Sequence, residues 1–186
     1  MHQRGLPRLW VRVRHRTQMM PRMGTWMMKQ REFENKPLVE QKRLLDKAYP
    51  EGAKFDIVLP CWDVKGGRGY AKHCGLHTEI MHACGNSEVF AKHMKSCLEQ
   101  SQKLWAKGHH CVRVVCVCNQ GRHRSVCVSA ILQAVHSEMG FNSKGPNHLS
   151  HNSWWKKMCT TCSDCRPNRK KAELFRRLAD DYAKVA

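Results

Sequence analysis

A chain of 186 residues, 41% of them apolar, is long enough to bury one hydrophobic core with a tail or two, and it has no apolar run near the roughly 18–20 residues that a bilayer-spanning helix needs. Charge is the strongest compositional signal: 33 Lys and Arg against 15 Asp and Glu give a net +18, which points to polyanionic partners such as RNA, DNA or an acidic surface. Eleven cysteines is an odd number, and no secretory apolar stretch precedes them; this argues against a disulfide framework and for an intracellular, reducing compartment, where clustered cysteines bind metal or act as nucleophiles.

In chain order, residues 1–35 mix Arg, Met and Pro without steady periodicity, and a poorly ordered basic segment is expected. Residues 1–31 contain no acid and eight Lys or Arg, so +10 remains on the rest of the chain. An acid-free, Arg-rich start fits an organelle-targeting peptide, but such peptides are Ser-rich and this one has no Ser; a basic tail is the other reading. From residue 37 to the C-terminus a single α/β domain is expected. Pro37 to Ala48 has helical spacing, with Leu38, Leu44, Leu45 and Ala48 ahead of the breakers Pro50 and Gly52. Phe55 to Leu59 is a short apolar run ended by Pro60, a first core strand. Residues 61–75 form a loop punctuated by Gly66, Gly67, Gly69 and Gly75.

One long helix should follow, capped by Asn86 or Ser87 and carrying Phe90, Met94, Leu98, Leu104 and Trp105 up to Gly108. Cys111 to Cys118 is β-branched and apolar enough for a central strand. Helical spacing resumes with Val128, Ile131, Leu132 and Val135, closed by Gly140. A short strand is expected around Asn147, His148 and Leu149, then an amphipathic helix with Leu174, Phe175, Leu178, Tyr182 and Val185. Alternation of strands and helices predicts α/β architecture, a small, mainly parallel sheet flanked by helices. Isolated cysteines such as Cys74, Cys97 and Cys127 are expected as small hydrophobes in the core.

Between the central strand and the next helix runs Cys118-Asn119-Gln120-Gly121-Arg122-His123-Arg124-Ser125. Ligands of open α/β sheets bind beyond the carboxyl ends of the strands, and a helix beginning there offers unpaired backbone N–H groups and a positive dipole end. Gly121 lets the loop curl so that its N–H groups converge. Arg124 can fork onto two phosphate oxygens, Arg122 and His123 add donors, and Ser125 supplies a hydroxyl. Cys-x5-Arg-Ser also matches the phosphate loop of protein tyrosine phosphatases. In that chemistry Cys118 is the nucleophile, Arg124 clamps the phosphoryl oxygens and Ser125 assists. Asp56 and Asp63 are the acids nearest to hand for leaving-group protonation.

The run Gly121-Arg122-His123-Arg124-Ser125-Val126, with Cys118 three residues before the glycine, resembles the signature of the RapZ C-terminal domain. Phe55-Asp56, Leu59-Pro60 and Gly75-Leu76 follow in that family's order, so the likeness covers about residues 53–140. It also resembles single-domain eukaryotic relatives that join this loop to a Trp- and Cys-rich tail. The resemblance implies an α/β domain that binds a phosphorylated small molecule, an amino-sugar phosphate in the bacterial case, and RNA, with no known catalysis. Asn119-Gln120 stand where the family has Thr-Gly, and the family's nucleotide-binding domain lies outside the likeness, so no ATP role carries over.

A Cys-rich segment over residues 148–165 holds Cys159-x-x-Cys162-x-x-Cys165 after His148, His151 and Trp154-Trp155. Two-residue gaps let successive thiolates turn onto one ion, and three thiolates with one imidazole make a tetrahedral zinc site; His148 and His151 are equal candidates for the fourth ligand. A cysteine turn without metal, or a redox trio, is the alternative. The sequence therefore predicts a binding domain for a sugar phosphate-like ligand or RNA phosphate through residues 118–125. A cysteine-dependent phosphatase is the competing class, and no membrane partner is expected.

Overall fold

The computed structural model describes residues 8–15, 35–48, 55–66, 69–70, 72–118, 123–148, 159 and 161–184. Strand β1 (Arg8–His15) is followed by helix α1 (Leu38–Ala48), strand β2 (Ile57–Pro60), helices α2 (Thr78–Gly85) and α3 (Glu88–Ala106), strand β3 (Cys111–Cys118), helix α4 (Arg124–Glu138), strand β4 (Asn142–His148) and helix α5 (Arg169–Ala183). The strands form one sheet in the order β2-β3-β1-β4, with every pairing parallel. The protein is an α/β fold with a small parallel sheet, as its alternating pattern predicts.

Parallel strands cannot be joined by tight hairpins, so each connection crosses a face of the sheet and covers it. That is why Val114 to Cys118 is an unbroken buried run. Val114, Cys116 and Cys118 join the main core with residues of α2, α3, α4 and α5, while Val115 and Val117 pack with Phe55 in a separate cluster. The helices bury the stripes that their spacing predicts: Phe90, Met94, Cys97 and Leu98 on α3, and Leu174, Leu178 and Tyr182 on α5. Cys74, Cys97 and Cys127 are fully buried, as expected of small hydrophobes. Among the described residues, no helix is long and apolar enough to cross a membrane.

Two sequence expectations are corrected and one helix is added. Arg8–His15, inside the segment expected to be poorly ordered, forms β1 and pairs with β3 on one side and β4 on the other. Two flanking ladders satisfy its backbone groups, which outweighs the lack of a long apolar run. The helix expected from Asn86 or Ser87 to Gly108 forms as α3 with Ser87 as its N-cap, and α2 ahead of it is an element not anticipated from the sequence. Strand β4 begins at Asn142 rather than near Asn147.

His136 on α4 is completely buried. Its Nδ1 donates to the Leu132 carbonyl at 2.6 Å, and Nε2 has no hydrogen-bond partner among the described residues. Burial outweighs that one bond and pulls the imidazole pKa down to about 4. A folded-state value below the unfolded one makes His136 stabilising above the unfolded pKa, with that contribution lost as pH falls toward the folded one. Stability should drop by about 3 kcal/mol between roughly pH 6.5 and 4 from this group. Urea titrations across that range should show a shallower acid limb for His136→Gln than for the parent chain.

Candidate functional site

The strand order fixes where a ligand crevice can form. The connection from β1 to β2 must pass over β3, and the connection from β3 to β4 must pass over β1, in the opposite direction along the sheet. Right-handed crossovers in opposite directions lie on opposite faces, so the chain diverges at the carboxyl ends of β1 and β3. His15 and Cys118 are register partners at that point.

Cys118 is buried there, and α4 starts six residues later. The Cys118 thiol donates to Ser125 Oγ at 3.1 Å, and its sulfur accepts the Ser125 backbone N–H at 3.4 Å. These two contacts tie the end of the strand to the first turn of the helix. His123 is the N-cap position of α4 but makes no side-chain cap, and the first turn carries no acid; α1, α2 and α3 each have a glutamate in theirs. The His123 ring turns outward instead, its Nε2–H donating to the His73 carbonyl at 2.6 Å.

Two glycines set the surroundings of that turn. At Gly75 an added Cβ would collide with the His123 carbonyl oxygen and come within 2.7 Å of the Cys127 nitrogen, so the 73–77 segment lies directly on the helix start. At Gly66 an added Cβ would meet only the Arg124 side chain, 2.9 Å from Cγ and 3.3 Å from Cδ. The Arg124 stem thus crosses to the loop after β2, and its guanidinium has no ion-pair partner among the described residues. Asn119, Gln120, Gly121 and Arg122 lie outside the described residues.

A second constellation lies beside the first. One ligand atom from each of His73, Cys159, Cys162 and Cys165 falls within 4.8 Å of every other, a group that could hold a metal ion. His73 Nδ1 is 3.5 Å from Cys165 Sγ. The three cysteines are those that the spacing predicts; the histidine is not. His73 occupies the place assigned to His148 or His151, of which His151 lies outside the described residues and His148 is the last residue of β4, its side chain likewise outside them. No local spacing links a histidine in the glycine-rich loop to cysteines so far downstream, and only the fold brings them together.

The turn that carries these cysteines is pinned on its C-terminal side. Thr78 Oγ1 donates to the Asp164 carbonyl at 3.1 Å. Asn168 donates to Thr78 Oγ1 at 2.8 Å while its Oδ1 accepts from Lys171 N at 3.0 Å, capping α5. Buried Lys171 gives its ammonium to the Arg166 carbonyl at 2.6 Å. Burial and the adjoining thiols of Cys74, Cys162 and Cys159 push Cys165 up to about 12, whereas the Cys162 backbone holds the Cys159 thiol below its usual value. Sulfurs packed this closely cannot all ionise unless a cation joins them.

His77, Cys162 and Asp164 form another close group. His77 is no second ion ligand, however, because its Nδ1 already accepts the Glu79 N–H at 3.2 Å. A neutral imidazole with that lone pair engaged carries its proton on Nε2, 4.0 Å from Asp164 Oδ2. His77 therefore caps α2 and faces the cysteine turn as a donor.

Asp56, one of the two acids considered for proton donation, is at the wrong end of the sheet. Its Oδ2 accepts the Arg113 N–H at 2.8 Å, five residues before Cys118, which is roughly 17 Å along a strand. Asp63 follows the carboxyl end of β2 and is exposed. A cavity of about 250 Å³ between α2, α4 and α5, lined by Leu76, Met81, Ala130 and Phe175 among others, includes none of the described residues Cys118 and 123–125. No family model, curated protein or solved structure matches the chain.

The two glycines make graded forecasts. Gly75→Ala forces backbone apart and should cost about 1–3 kcal/mol or more in urea unfolding, as overpacking does. Gly66→Ala comes 2.9 Å from Arg124 Cγ, near the base of that side chain, so Arg124 must shift and the cost should be about 1 kcal/mol, less than at Gly75.

Proposed function

We propose that this chain is a phosphate-binding domain whose site is the turn from Cys118 to Ser125. Its ligand is a phosphorylated small molecule of the sugar phosphate kind, with RNA phosphate as a second source of the same chemistry. One observation carries the reading: an uncapped, acid-free helix N-terminus directly follows the central strand at the point where the crossovers diverge. Such an end has a positive dipole and backbone N–H groups directed at the loop, of which the Ser125 N–H already meets Cys118 Sγ. Arg124, held along Gly66 and without an acidic partner among the described residues, supplies the fork that grips phosphate oxygens. The likeness to the RapZ C-terminal domain agrees with this. The net charge of +18 adds a sequence-tolerant attraction for RNA, and exposed Lys92, Lys95 and Lys103 on α3 and Arg176 and Arg177 on α5 contribute to it.

The competing class, a cysteine-dependent phosphatase, draws support from the Ser125 N–H and hydroxyl beside Cys118, groups that would hold a thiolate. It loses support from Asp56, which is engaged at the far end of β3. Calorimetry with inorganic phosphate, a hexosamine phosphate and a short RNA tests the binding reading. Arg124→Ala should weaken phosphate ligands by about 1.5–3 kcal/mol, Cys118→Ser should leave affinity within about threefold, and an aryl phosphate should not be turned over. Turnover that Cys118→Ser abolishes would make the chain an enzyme. RNA binding should weaken as salt rises, with log affinity linear in log salt.

The metal group is a structural zinc site in this reading. Zinc takes nitrogen at roughly 2.0 Å and sulfur at 2.3 Å, and a tetrahedral angle sets those atoms about 3.5 Å apart; His73 Nδ1 and Cys165 Sγ have that separation. Protein purified without chelator should carry about one zinc per chain by elemental analysis. Less than about a tenth would remove the ion from the account.

A further inference from the structure

We infer that the ion bound by His73, Cys159, Cys162 and Cys165 acts as a latch on the phosphate turn, so that metal occupancy sets phosphate affinity. The inference rests on the phosphate-binding reading of that turn, and its route is a single strip of chain. His73 faces the cysteines with its ring while its carbonyl accepts the His123 Nε2–H at 2.6 Å. A carbonyl can only accept, so this bond fixes the His123 proton on Nε2 and turns the ring away from the cap position. Two residues on, Gly75 presses against the His123 carbonyl, Val126 and the Cys127 nitrogen. Four residues on, His77 caps α2 and sets its Nε2 4.0 Å from Asp164, in the turn between Cys162 and Cys165. The segment from His73 to His77 therefore has the cysteines on one side and the first turn of α4 on the other.

With the ion in place, four ligands hold that strip at one distance from the helix start. Without it, the cysteine turn is held by its bonds to Thr78 and Lys171 and by His77 facing Asp164. The His73 ring then loses its anchor, and the His73–His123 bond and the fit at Gly75 loosen with it. Linkage makes the coupling reciprocal: phosphate tightens zinc by the same factor as zinc tightens phosphate.

The test uses the full chain with zinc loaded, zinc stripped by chelator, and zinc restored, titrated with inorganic phosphate by calorimetry, while NMR follows the His123 ring. Stripping should weaken phosphate by roughly 5- to 100-fold, shift the His123 ring signals and leave circular dichroism nearly unchanged, and restored zinc should reverse all three. In His123→Phe, which cannot donate to the His73 carbonyl, zinc binding should persist while its effect on phosphate shrinks toward none. The latch is overturned by equal phosphate affinity in the two zinc states, by full zinc dependence in His123→Phe, or by global unfolding on stripping, which would make the ion a support of the core. Should the zinc-loaded chain bind no phosphate, the phosphate reading fails by itself. The His123 signals then decide the metal coupling: a shift on stripping supports it and unchanged signals overturn it.

Discussion

Every strand of the sheet runs in the same direction, and a parallel strand can reach its neighbour only by a crossover that traverses a face. Much of the molecule is a consequence. Both faces have to be covered, so β3 is apolar at successive positions. All the connections that leave the sheet do so at one edge, so loops from distant parts of the chain meet there. Because β1 lies inside the sheet with neighbours on both sides, the crossovers part at β1 and β3, where His15 and Cys118 are register partners.

The loops that meet at this edge make contact through backbone as much as through side chains. Gly75 has no Cβ, and the first turn of α4 fills the space where one would stand. Removing side chain from the contact brings the His73 carbonyl within reach of the His123 ring, and it sets the cysteine turn close enough for His73 to complete a four-ligand group. A cluster with the chemistry of a metal site and a helix end with the chemistry of an anion site thus share one short segment.

What could be read from the sequence follows from how local each signal is. The strand from Cys111 to Cys118 and the helix from Arg124 stood out because a strand buried on both faces is contiguous and the change to helical spacing is abrupt. The three cysteines stood out because ligand spacing of two residues is itself local. His73 did not, since its place in the four-residue group is created by tertiary folding alone. In β1 the alternation of Leu9, Val11 and Val13 is short, and Arg8, Arg12 and Arg14 around it, within a longer Arg-, Met- and Pro-containing stretch without steady periodicity, read as a poorly ordered segment. Asn86-Ser87 marked the start of α3, whereas α2 went unread because it is only eight residues long and sits between the glycine-rich loop and that cap. Asp56 was misplaced for a geometric reason: it stands at the start of its strand, and the strand's length separates it from the carboxyl edge.

The position of β1 also has a consequence for synthesis. This strand leaves the ribosome well before its partners, which begin at Cys111 and Asn142, so the nascent chain carries an unpaired, half-apolar strand until they have emerged. Contacts of such long sequence separation form slowly, and open strand edges are sites of mispairing and aggregation. The alternating arginines that disguise β1 keep that waiting segment charged, so successive copies on one message repel each other before the sheet can close.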